Sequence, residues 1–134
     1  QHDETEHMTE QEMIALVEAY FAGVDGENFD AIQATITGDC VFTVETHGVE
    51  LTTPSEIRSM FDRLWSGHAA VQHSDFSHLA NVDNQRIASQ FKVMNTHHDG
   101  SLAHKSNCNF FDLRGDKFSR ISVYMAGKNT LDKS

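Results

Sequence analysis

Basic residues are scarce in this chain: ten Lys and Arg stand against twenty Asp and Glu, a formal charge of −10. A field of that sign repels nucleic acid and anionic membrane surfaces, so neither is expected as a partner. No apolar run approaches the roughly 18 residues that a membrane-crossing helix needs. The two cysteines, Cys40 and Cys108, are too few for a disulfide framework. Both fall in strand-like runs and are expected as buried free thiols. Histidines are plentiful, nine in all, yet there is no HxH, no HExxH and no cysteine pair at zinc spacing. A glycine-rich dinucleotide fingerprint is also missing, so neither a metal nor a redox cofactor is expected. No signal-peptide pattern is visible, which gives a cytoplasmic expectation, with a leader removed before Gln1 left open.

What is present reads as one globular domain. The chain has 134 residues, a hydrophobic content of 39%, nine Phe and a single Pro, enough to bury a core. Residues 1–8 are polar and expected to fray as a tail, with residues 9–134 forming the domain. Thr9 followed by Glu12 is a capping-box pattern, in which each side chain satisfies the other's backbone N–H. Met13, Leu16, Val17, Tyr20, Phe21 and Val24 then recur at helical spacing up to Gly26. A short second helix is expected over Phe29 to Ile36, with Gly38 ending it. After a strand from Cys40 to Thr46, Thr53, Pro54 and Glu56 mark the start of a third helix that stops near Gly67. The remainder reads as four strands, about 71–82, 86–97, 101–113 and 118–126, joined by short turn-forming connections. Helices first and hairpin-linked strands afterwards indicate α+β. The expected form is a cone-shaped α+β barrel, three helices packed on a curved antiparallel sheet around an apolar cavity.

Strand alternation sorts the polar residues by face. In HSDFSHLANV the even positions, including Phe76 and His78, are apolar-facing, which sends His73 and Asp75 to the other side. In IASQFKVMNTHH the odd positions Phe91, Val93, Asn95 and His97 face inward, and Asn107 and Asn109 share a face in the next strand. Tyr20 enters the same core from the first helix. Asp25, five residues on, converges with it only if the helix ends around Gly23–Gly26. Each of these groups also has an ordinary structural role open to it: a core histidine, a packed tyrosine, a turn aspartate.

These segments resemble the SnoaL-like group of the nuclear transport factor 2-like superfamily, over about Thr9 to Met125. YFAGVDGENFD is similar to the tyrosine–aspartate segment that ends the first helix in its dehydratase-like branch, which includes bile-acid and scytalone dehydratases. SHLAN resembles that branch's histidine strand, and FFDLRGDKFSRISVYM the closing hairpin. The resemblance implies acid–base roles for Tyr20, Asp25 and His78, and substrate contacts for Asn107 and Asn109. Val44, Phe29, Phe61, Trp65, Phe91 and His97 are expected to complete the ligand pocket. Val44 stands where ketosteroid isomerases carry their general-base aspartate and scytalone dehydratase a tyrosine, with Glu45 next to it, so neither set is complete. The resemblance also implies a homodimer through the exposed sheet face.

The chemistry suited to these groups is proton abstraction beside a carbonyl, followed by loss of water or isomerisation. His78 is the expected base, Asp25 its orienting partner, Tyr20 a hydrogen-bond donor and Asn107 or Asn109 the enolate stabiliser. The ligand would be a small apolar or hydroxylated carbonyl compound and no cofactor would be needed. A non-catalytic ligand-binding or dimerising module of the same fold is the alternative.

Overall fold

The structure is a computed structural model and describes residues 7–127. Helix α1 spans Glu10–Asp25 and opens on the expected capping box: Thr9 Oγ1 accepts from Glu12 N at 3.2 Å, and Glu12 Oε1 accepts from Thr9 N at 2.8 Å. Met8 lies just before this box and is tied to Gln85, whose side chain bonds both its N–H and its carbonyl. Residues 1–6 of the tail expected over 1–8 fall outside the described residues. Helix α2 is short, Phe29–Gln33, and helix α3 runs Pro54–Ser66 behind a second capping box, Thr53 with Glu56.

Six strands follow the order β2-β1-β6-β5-β4-β3: β1 Ile36–Val44, β2 Val49–Leu51, β3 Ala70–Asn81, β4 Arg86–Thr96, β5 Leu102–Arg114 and β6 Lys117–Tyr124. Two differences from the expected architecture follow. The sheet is mixed, because β1 pairs parallel with β6 while every other pairing is antiparallel. It is also open, with β2 and β3 as its edges, so the three helices close over a curved sheet and not a complete barrel. The second helix ends three residues earlier than expected and Ile36 instead begins β1. The β-branched Thr35-Ile36-Thr37 run favours extended backbone, and Thr35 O accepts from Phe118 N to tie the junction to the sheet.

The core lies between the sheet and the helices. Tyr20 and Phe21 of α1 meet Phe61 of α3 and Phe91, Phe111 and Phe118 of the sheet in edge-on and tilted ring contacts, geometries that aromatic quadrupoles favour. Gly23 lets α1 and α2 approach closely: a Cβ there would stand 2.9 Å from Ile32 Cγ1 and 3.1 Å from its backbone N. Trp65 Nε1 donates to Val24 O at 2.9 Å, pinning α3 to the end of α1.

Candidate active site

The site is set by one irregularity in β3. Ser74 pairs with Lys92 and Ser77 with Gln90, so Asp75 and Phe76 together oppose the single residue Phe91. This is a β-bulge, and Asp75 occupies the left-handed region at φ 56°, one that Asp tolerates better than most residues. An extra residue inverts the alternation. His73, upstream of the bulge, therefore faces the same side as Phe76 and His78 downstream of it. The outward placement expected for His73 from strict alternation is corrected by the bulge.

Facing inward, His73 meets the last residue of α1. Asp25 Oδ1 lies 2.6 Å from His73 Nδ1, and Asp25 Oδ2 accepts from the His73 backbone N–H at 2.9 Å. A carboxylate only accepts, so the Nδ1 atom carries the hydrogen and the neutral ring keeps its lone pair on Nε2. The His73 side chain is 9% exposed and that of Asp25 27%. Phe21 and Phe91 pack against the imidazole at ring distances of 4.6 and 5.3 Å. Among the described residues no hydrogen bond engages Nε2.

His73 lines a cavity inside the cone together with Tyr20, Phe21, Phe61, Phe91, Asn95, Asn107 and Asn109, among others. Its volume is about 40 Å³, room for a few waters and far below the several hundred Å³ of a typical ligand pocket. The wall is apolar except for a few groups. Burial, with a smaller contribution from Cys40, pushes the Tyr20 hydroxyl far above the ordinary tyrosine range, so it stays a donor. Asn95 has neither of its side-chain polar atoms hydrogen-bonded, and Asn109 Oδ1 also lacks a partner. Asn107 Oδ1, by contrast, accepts from Ala126 N at 2.9 Å.

Of the residues expected from sequence, Tyr20, Phe61, Phe91, Asn107 and Asn109 line this cavity, and Asp25 reaches its edge through His73. His78 does not line it. Its Nδ1 is 2.8 Å from Ser89 Oγ, its cross-strand neighbour, and its ring stacks on Phe76, which itself packs against Phe21. Partial burial lowers its pKa, offset in part by Glu18. His97 lies beyond β4 and packs on His68 at 5.5 Å. Val44 and Phe29 are buried in the surrounding core, and Trp65 is stacked behind Phe61; none of the three is part of the cavity wall. Glu45, next to Val44, bonds Thr43 and Arg120 instead of the interior. His73 and Asn95 are the two polar groups that were not singled out. Asn95 was visible as an inward position, whereas His73 was hidden by the bulge.

A larger open cleft, about 530 Å³, lies at the β3–β4 hairpin and includes Leu79, Arg86 and Phe110. Arg86 there is already paired with Asp112 at 2.6 Å and set over the Phe110 ring. Among the described residues no cluster of three or more His, Cys, Asp or Glu could hold a metal ion, and no helix is long and apolar enough to cross a membrane.

The model of the SnoaL-like domain matches residues 17–121. No curated protein matches the sequence. Solved structures are similar in fold. A proposed polyketide cyclase from Xanthomonas campestris pv. campestris superposes with a TM-score of 0.78 at 21% identity, covering 85% of this chain and 90% of that one. A nuclear transport factor 2-like protein from Anabaena variabilis gives 0.75 at 18% identity, with 90% of each chain covered. TerC, co-crystallised with polyporic acid, gives 0.74 at 13% identity, covering 85% of this chain and 91% of that one.

Proposed function

The chain belongs to the SnoaL-like domain family, and from that premise we propose that it is a cofactor-independent acid–base enzyme, a dehydratase or isomerase acting on a small hydroxylated carbonyl compound. One observation carries the reading: His73, held through Nδ1 by Asp25 and with no hydrogen bond on Nε2, lines an apolar cavity together with Tyr20 and the unpaired amide of Asn95. A base oriented by a carboxylate beside hydrogen-bond donors is the arrangement that proton abstraction next to a carbonyl requires.

In this mechanism His73 Nε2 takes the proton from the carbon beside the carbonyl. The bonding pair moves to the carbonyl oxygen, where an amide N–H of the wall holds the enolate. For dehydration the enolate re-forms the carbonyl and expels the hydroxyl group on the next carbon. That group leaves as water after receiving the proton from the His73 imidazolium. For isomerisation the imidazolium returns the proton to a different carbon. Tyr20, held protonated by its burial, donates a hydrogen bond to one of the oxygens. Asp25 stabilises the imidazolium at a distance of 2.6 Å. The similarity to TerC, which was crystallised with polyporic acid, supports a small organic ligand in this fold.

The test is turnover on a panel of β-hydroxy ketones and their positional isomers. His73→Ala is expected to lower the rate by about 10²- to 10⁴-fold, while His78→Ala stays within a few-fold of wild type. Equal losses in both variants, or an active His73→Ala enzyme, overturn the assignment. The alternative is a non-catalytic ligand-binding module; in either reading a ring-sized ligand must enlarge the cavity of about 40 Å³. Ligand binding with no turnover of any panel member would select that reading. We also propose a homodimer formed through the outer sheet face, where Leu79 and Tyr124 are exposed. A monomeric mass by sedimentation at micromolar concentration would exclude it.

A further inference from the structure

Asn95 is 1% exposed and lines the cavity, yet both Oδ1 and Nδ2 of its carboxamide lack a hydrogen-bond partner. A buried amide left in that condition destabilises the fold, and native chains keep such groups where a ligand or water completes them. Thr37 and Arg63 also carry unpaired buried atoms, but neither lines the cavity.

The sheet register puts Asn95 beside the proposed base. His73 pairs with Val93 and Val71 with Asn95, so Asn95 is the diagonal inner-face neighbour of His73 across β3 and β4, a separation of roughly 7–8 Å between Cα atoms. No Lys or Arg lines the cavity, and the chain carries a formal charge of −10, so a ligand carboxylate would find no permanent cation there. An amide with a free donor and a free acceptor instead matches a neutral group that offers an acceptor and a donor side by side.

We infer that Asn95 is the specificity-determining residue of this cavity, binding a neutral ligand that carries a carbonyl and a hydroxyl on neighbouring carbons. Nδ2–H donates to the carbonyl oxygen and Oδ1 accepts from the hydroxyl. This inference rests on the cavity being the ligand site proposed above, and it selects the isomerisation arm of that reading, since a hydroxyl beside the carbonyl is not the group lost in the dehydration. A site that hydrogen-bonds a ligand hydroxyl discriminates strongly against the analogue lacking it, because its own polar atoms are then left unpaired.

The test is a binding titration followed by NMR on ¹⁵N-labelled protein, with hydroxyacetone against acetone and α-hydroxyacetophenone against acetophenone. The Asn95 side-chain signal is assigned by its loss in Asn95→Leu. Wild type is expected to bind at least one hydroxy-ketone about tenfold or more tightly than its deoxy partner, with a downfield shift of the Asn95 amide protons. In Asn95→Leu that preference collapses to within about threefold, and Tm is maintained or raised because an unpaired amide has been replaced by an apolar group. Repeating the titration in His73→Gln separates the two proposals: discrimination persists there even if no turnover is ever found. Equal binding of both partners, binding of none of the four, or a preference that survives Asn95→Leu overturns the inference. A Tm drop in Asn95→Leu larger than about 5 °C also overturns it, since the amide would then be part of the fold's own bonding.

Discussion

Asp25 grips His73 with both carboxylate oxygens, one on the imidazole Nδ1 at 2.6 Å and one on the backbone N–H at 2.9 Å, across forty-eight residues of chain. The end of the first helix therefore sets both the tautomer of that ring and the position of the strand that carries it. In Asp25→Asn the amide can bond the backbone or the ring but does not favour Nδ1–H as a carboxylate does. Turnover is expected to fall by roughly 10²- to 10⁴-fold. Imidazole ¹⁵N shifts should report Nδ1–H in wild type and a mixed tautomer in the variant. An unchanged tautomer with unchanged rate would remove Asp25 from any orienting role.

His78 should reveal itself in stability. Burial lowers its pKa below the ordinary 6.5, with Glu18 opposing the shift. As pH falls through about 6.5, the unfolded chain takes up a proton that the folded chain resists, so stability declines on the acidic side. Urea unfolding at about pH 7.5 and pH 5 should therefore show a smaller acid loss in His78→Gln than in wild type.

The two thiols should differ in reactivity. Cys40 is buried, and its pKa is pushed up to about 12, chiefly by that burial with Asp39 adding to it. Cys108 is only half-buried, contrary to the expectation of two buried thiols, and burial raises its pKa too. Since the thiolate is the reactive form, iodoacetamide at mildly alkaline pH should modify Cys108 first and reach Cys40 only on unfolding. Mass spectrometry of digested samples would show the order.

Gly23→Ala should destabilise the fold by about 1–3 kcal/mol, because the new Cβ meets the Ile32 side chain at 2.9 Å and its backbone N at 3.1 Å. A Cβ at Gly38 meets nothing within 4 Å, so Gly38→Ala should have little effect. Thermal melts of the two variants provide the comparison.

Much of the fold was readable because its signals are local. Capping boxes at Thr9 and Thr53 announce two helices, and the regular β4–β5 register lets simple alternation put Phe91, Asn107 and Asn109 on the cavity wall. Alternation fails at His73, since one extra residue reverses everything upstream of it. Asp75 is a residue type that accepts a positive φ, but nothing in the Ser74–Ser77 segment says which residue bulges, or that one does. The parallel pairing of β1 with β6 depends on distant segments and leaves no local trace. At Ile36, helical spacing from Phe29 and Ile32 competes with β-branched neighbours, and the sheet wins.

The bulge at Asp75 has a second consequence, for solubility. β3 is an edge strand of twelve residues with a neighbour on one side only. An edge of that length, if flat and regular, is a template on which another chain can add a strand. The kink breaks the run of outward N–H and C=O groups near its middle and leaves the exposed Asp75 carboxylate there. Deleting Asp75 would straighten the strand, turn His73 away from Asp25, and open an uninterrupted edge to self-assembly. The residue that brings the imidazole inward thus also guards the protein against adding to itself.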